Sequence, residues 1–198
     1  AKKNGMSDKT ASSSKVRRGD GRRQRGNRTG FTTGACSAAA ARAATLGLLT
    51  GEVPKEVLCR LPNGQEVRFA VAECRIEGEG TARSAHAVII KDGGDDPDAT
   101  NGAHLTADVR LLPDSAGEIV LKGGVGVGVV TKEGLGLQVG GPAINPVPRR
   151  NIGENLRAVA SDLLDQHGLE VTLSVPGGEE MAKKTLNARL GILSGISI

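Results

Sequence analysis

Aromatic residues are almost missing: the chain of 198 residues has no Trp, no Tyr and two Phe. Without them there are no stacking platforms of the kind that hold single-stranded nucleic acid, and the core must rest on Val, Ile, Leu and Ala. Cysteine is scarce as well. Cys36, Cys59 and Cys74 are too widely spaced for a disulfide framework or a C-x-x-C metal motif, so no metal site is expected. A reducing, cytoplasmic setting is the expectation. No apolar run is long enough to span a membrane, and no hydrophobic signal segment opens the chain.

Basic charge is missing from most of the chain too. Ten of the 26 Lys and Arg and two of the 22 Asp and Glu fall within residues 1–28, which leaves the other 170 residues with a net charge of −4. Residues 1–28 therefore form a basic tail with too few apolar residues to fold, read as a disordered, solubilising extension rather than a nucleic-acid arm. Residues 29–198 are read as the folded domain. The chain begins on Ala and closes on G-I-L-S-G-I-S-I, so a piece of a longer protein is expected.

What is abundant is glycine: 29 residues, about twice the usual share. The spacing predicts a helix over 34–49, capped by Thr32 or Thr33. V-L-C-R-L-P-N-G-Q-E-V-R-F-A-V (57–71) reads as a hairpin through Asn-Gly, with a bulge or bend near Ala72. Strands follow at 84–90, 109–112 and 118–121. A helix is expected over 151–167, capped by Asn151 and ended by Gly168, and then a half-buried strand at 169–175. The fold class is α+β, a mixed and largely antiparallel sheet with helices packed on one face.

Four stretches could carry chemistry. R-T-G-F-T-T-G-A-C-S-A-A-A-A-R-A-A (28–44) sets Thr29, Gly30, Thr32, Thr33, Gly34 and Ser37 at a helix N-terminus, where unpaired amides and the helix dipole favour an anion. No Lys follows Gly34, so it is not a Walker loop. An ordinary cap on a close-packed core helix remains the alternative. Cys36 in the first turn reads better as a small buried residue than as a nucleophile.

K-D-G-G-D-D-P-D-A-T-N-G (91–102) gathers Asp92, Asp95, Asp96 and Asp98, with His104 just after. Crowded carboxylates could raise one member's pKa and give a general acid or base; a solvated turn is the rival. EF-hand spacing fails here, since Gly and Glu do not fall where that loop requires them. Gly124, Gly126 and Gly128 lie in a G-x-G-x-G run that suits paired strands and turns lying against a ligand, not a nucleotide loop. G-P-A-I-N-P-V-P-R-R (141–150) is a stiffened loop delivering Arg149 and Arg150, which could clamp carboxylates or equally be exposed surface charge.

Taken in order, these stretches resemble the cobalt-precorrin-5B C1-methyltransferase (CbiD) family of anaerobic cobalamin biosynthesis. P-A-I-N-P-V-P-R and S-V-P-G-G-E-E-M-A-K-K-T-L-N-A-R-L-G-I-L-S-G-I-S-I extend the likeness to Ile198. Ala188 departs from the Pro expected there, and the basic tail is not a family feature. The resemblance implies a second, Rossmann-like half beyond Ile198. It implies methyl transfer from S-adenosylmethionine to C1 of a corrin precursor, with cobalt present only as part of the substrate. Under it, Asp95, Asp96, Asp98 and His104 become acid-base groups. Thr29 to Ser37, the three glycines and the two arginines become binding groups. No nucleic acid or membrane partner is implied, and homo-oligomerisation is left open. A non-catalytic tetrapyrrole-binding module and a GHMP-like small-molecule kinase are the competing functions.

Overall fold

An unusually bulk-free helix sits at the centre of the molecule. The computed structural model describes residues 28–95 and 97–198; the basic tail before Arg28, and Asp96, lie outside the described residues. Helix α1 (Thr33–Thr50) is buried on nearly every side, from Gly34 through Ala41 and again at Ala43, Ala44, Thr45, Gly47 and Leu48. A helix apolar all round belongs inside. Its small side chains let the sheet, a hairpin and a second helix approach together. Thr32 caps it, its hydroxyl accepting from the Ala35 amide at 3.0 Å, and Gly51 closes it in the left-handed region at φ 82°.

The hairpin forms as expected: β1 (Glu56–Arg60) pairs antiparallel with β2 (Glu66–Ala70). In place of a bulge at Ala72, the chain leaves this two-stranded sheet and enters a larger one as β3 (Glu73–Glu77). That change of sheet is the physical source of the phase switch in the sequence. β4 (Ser84–Ile90), β5 (His104–Leu112), β6 (Ile119–Gly123), β7 (Val129–Val130), helix α2 (Pro146–Leu164) and β8 (Gly168–Ser174) follow. The large sheet has the order β3-β4-β5-β8-β6 and is antiparallel except for β6 beside β8. The turn between β5 and β6 therefore makes no hairpin, because β8 comes between them. Two short helices, α3 (Gly178–Ala182) and α4 (Asn187–Leu190), lead to β9 (Ile192–Leu193), which pairs with β7.

Both ends of the second helix are corrected here. Asn151 is not a cap, since α2 begins at Pro146 behind Asn145 and encloses Asn151 as a buried interior residue. Proline at the first helical position needs no amide partner, so a stretch that reads as a stiff loop is in fact a first turn. Gly168 does not end the helix; it opens β8 against the Ser115–Glu118 turn. The glycine run 123–136 is paired strand and turn as expected: Gly123 ends β6, Val127 bridges Ile196 and β7 pairs with β9.

α1 and α2 lie on one face of the large sheet, packed on Ala85, Ala87, Ile89, Leu105, Ala107, Val109, Leu169, Val171 and Leu173. The opposite face is polar. There Glu170 accepts from Arg110 Nε and Nη2, each at 2.9 Å, and from Lys122 Nζ at 2.9 Å. Lys122 foremost, with Arg110, holds its carboxyl below the usual Glu range. A depressed folded pKa gives stability that is present above the unfolded value and lost as pH falls through the folded one. Stability of the wild type to chemical denaturant should thus weaken as pH drops below about 4.3, and Glu170→Gln should shrink that acid loss. An equally steep acid limb in the variant rules the assignment out.

Gly126, at φ 78°, faces the Val175 carbonyl and the Gly178 amide, where a methyl group would overlap backbone. Gly126→Ala should cost about 3 kcal/mol or more. Gly153→Ala, in α2 with open space around it, should stabilise by about 0.5–1 kcal/mol. Urea titrations of the two variants check both signs.

Candidate functional site

The turn before α1 is held open by the loop it runs beside. Thr29 bridges Gly94, the Phe31 amide donates to the Asp92 carbonyl at 2.9 Å, and the Arg28 amide donates to the Asp95 carboxylate at 2.8 Å. Arg28 also pairs with the Asp92 carboxylate. Gly30 has no side chain because its α-carbon rests on Gly93. The first residues of α1 thereby project into a cleft with two limbs, of about 440 and 500 Å³, which share Gly30, Phe31, Thr32, Thr33 and Ser197.

One limb is polar, lined by Lys91, Asp98, Thr100, Thr185 and Asn187. The other is mostly apolar, bounded by Leu61, Pro62, Val147, Pro148 and Ile198, with Asn151 in its wall. Two features suit an anion. The amides of Thr33 and Gly34 make no hydrogen bond to the described residues, because Thr32 satisfies Ala35 and Cys36 instead. Asn151, only 3% exposed, has an Nδ2 without a partner among the described residues. The apolar wall is held by Asn155, buried at 1% exposure. Its Oδ1 accepts from the Arg60 amide and from Arg42 Nη1, each at 3.0 Å, and its Nδ2 donates to the Arg60 carbonyl at 2.9 Å. A side chain bonding both backbone groups of Arg60 acts as a strand partner, so it fixes the hairpin turn that overhangs the cleft.

Of the residues expected from sequence, the structure gathers Gly30, Thr32, Thr33, Gly34 and Asp98 at the cleft, whereas Thr29 is outside its lining and bridges Gly94. The idea that crowding raises an Asp pKa is reversed. The Thr100 hydroxyl at 2.6 Å, the Thr100 amide at 2.8 Å and Lys91 Nζ at 3.1 Å all donate to Asp98 Oδ1, and together they hold that carboxyl below its usual range. Asp95 is exposed and engaged with Arg28. Asp96 lies outside the described residues.

Other candidates sit elsewhere. His104 opens β5 on the strand phase opposite buried Leu105, hence on the sheet face away from α1. Ser37, 1% exposed, is inside the core with its hydroxyl unpartnered among the described residues. Gly124, Gly126 and Gly128 meet Ser174, Val175 and Gly195, so protein backbone and side chains fill the space reserved for a ligand. Arg149 and Arg150 line a separate groove with Ile119, Leu121 and Arg157, although their neighbours Pro148 and Asn151 border the cleft. Lys91, Thr100, Asn187 and Ser197 were missed; only Lys91 left a signal, as a charged residue ending an apolar strand.

A family model described as CbiD matches residues 20–198. The chain belongs to the CbiD family. A cobalt-precorrin-5B C(1)-methyltransferase from Dechloromonas aromatica is 76% identical over 192 residues, 96% of this chain and 48% of that protein. One from Polaromonas sp. is 69% identical over 178 residues, 88% of this chain and 48% of its own length. The crystal structure of a cobalamin biosynthesis protein (cbiD) from Archaeoglobus fulgidus is 32% identical with a TM-score of 0.60, covering 86% of this chain and 51% of that one. The chain thus spans about half the length of these CbiD relatives. Among the described residues no helix is long and apolar enough to cross a membrane, and no three His, Cys, Asp or Glu gather to hold a metal.

Burial pushes the Cys36 thiol up to about 12 and the Cys59 thiol to about 11, so neither serves as a nucleophile in this CbiD chain at neutral pH. Titration with a thiol-reactive disulfide at pH 8 should show one fast thiol, the exposed Cys74, and two that react only on unfolding. Cys74→Ser should abolish the fast phase; a fast phase that survives puts Cys36 or Cys59 at the surface.

Proposed function

We propose that the protein takes part in S-adenosylmethionine-dependent methylation of cobalt-precorrin-5B at C1, and that the described residues hold an edge of the macrocycle. The observation that carries this reading is the 76% identity to a relative named for that reaction, over 96% of this chain. The geometry agrees with it. A wide ring fringed with carboxylates needs an apolar wall for its body and amide or cationic groups for its rim. The cleft supplies the wall in Leu61, Pro62, Val147 and Pro148, and the rim contacts in the Thr33 and Gly34 amides with Gly30 and Thr32 around them.

The donor's adenosyl group does not fit these residues. The cleft pairs no ribose-binding acid with a glycine-rich strand-to-helix turn, the arrangement that usually receives such a group. What this chain contributes is orientation: fixing the ring so that one carbon lies in line for displacement. Asp98, held as a carboxylate, is suited to accept a proton or a hydrogen bond from the ring, not to act as an acid.

The full-length protein, given cobalt-precorrin-5B and S-adenosylmethionine, should yield product with one added methyl at C1, seen by mass spectrometry and by NMR with a labelled donor. Corrinoid binding with no methyl transfer under single-turnover conditions would favour the non-catalytic tetrapyrrole-binding module and remove the catalytic reading.

A further inference from the structure

The deepest cation of the cleft is Lys91, 3% exposed, on the same strand face as buried Ile89. Its backbone is pinned on both sides: its amide donates to the Ala103 carbonyl and its carbonyl accepts from the Gly102 amide, each at 2.8 Å. An ammonium has three N–H donors. Among the described residues only one is used, on Asp98 Oδ1 at 3.1 Å. A buried charge with two open donors is costly unless something completes its shell.

Asp98 is a weak claimant for that role. Its side chain is 67% exposed, and its Oδ1 already receives the Thr100 amide and hydroxyl. The two partners are thus unequal: the lysine depends on an anion in the cleft, whereas the aspartate is satisfied without the lysine. Lys91 lines the same limb as Thr33, whose amide is also open. Two positive features, a helix N-terminus and an ammonium, border one cavity of about 440 Å³.

Resting on the macrocycle reading above, we propose that Lys91 is the residue that receives a peripheral carboxylate of the ring, with Asp98 as its internal counter-ion in the empty cleft. A carboxylate entering the polar limb accepts from the two unused N–H groups of Lys91, and Asp98 stays on Thr100. The cleft then prefers rings whose rim at that position is a free acid over rings where it is an ester or amide. That makes Lys91 a determinant of specificity.

The test compares two probes on the full-length protein: cobyrinic acid, a cobalt corrinoid with free peripheral carboxylates, and its fully methyl-esterified form. Wild type should bind the acid more tightly. Lys91→Met should weaken the acid about tenfold or more, the effect of losing one charge-assisted contact, and leave the ester unchanged, which also shows that the variant is folded. If Lys91→Met binds neither probe, Asp98→Asn decides. Removing the internal competitor should strengthen acid binding by about threefold or more; unchanged acid binding overturns the assignment. A Lys91→Met protein that keeps the wild-type preference for the acid also overturns it while leaving the macrocycle reading intact. Wild type that binds neither probe defeats that reading, and this assignment falls with it.

Discussion

Everything in this molecule is arranged around a helix with almost no side chains. From Gly34 to Leu48, α1 presents alanine, serine, threonine, cysteine and glycine to the sheet, to the β1–β2 hairpin and to α2. Such a helix contributes little burial per residue, yet it allows backbones to approach closely from several directions. Larger residues there would overpack the centre by about 1–3 kcal/mol each. The same tightness fixes the axis of α1, and with it the place where its open amides emerge. A cleft built on a helix N-terminus is only as precise as the helix is immobile, and this one is enclosed on nearly all sides.

Local chemistry was readable where it was decided locally. The Asn63-Gly64 turn, the Thr32 cap and the alternation in β8 all depend on neighbours in sequence, and each is found where the pattern put it. Errors arose where a distant segment made the decision. The phase switch near Ala72 reads as a bulge or a bend, because a strand changing sheets leaves the same trace as either. Pro146 and Pro148 looked like loop because proline suits both a stiff loop and a first helical turn. Gly168 looked like a helix cap, but the Ser115–Glu118 turn is what requires it.

The candidate site was half legible for the same reason. Thr29 to Gly34 announced themselves because a helix N-terminus is a local feature. The other walls come from residues 61–63, 91–100, 145–151 and 185–198, brought together by long-range pairing. Lys91 shows the difficulty well. In sequence it is a charge at the start of an acidic loop, to be left in water. In the fold, strand phase turns it inward beside Ile89, and the acidic residues that seemed to be the chemistry become its setting.

The glycine run at 124–128 serves the cleft indirectly. The Gly126 carbonyl accepts from the Ile196 amide at 2.9 Å, and the Gly128 amide donates to the Ile196 carbonyl at 2.8 Å. One residue further, Thr33 Oγ1 donates to the Ser197 carbonyl at 3.1 Å, and the Asn145 amide donates to the Ile198 carbonyl. The segment 195–198 is therefore held as an added backbone partner between the glycine run, α1 and the start of α2. Side chains at Gly128 or Gly195 would push it away. It follows that a residue in this run can alter ligand binding without touching ligand, by moving Ser197 relative to the open amides of Thr33 and Gly34. Glycine abundance here marks how closely chain segments must pass to build the cleft, rather than where a ligand lies against the backbone.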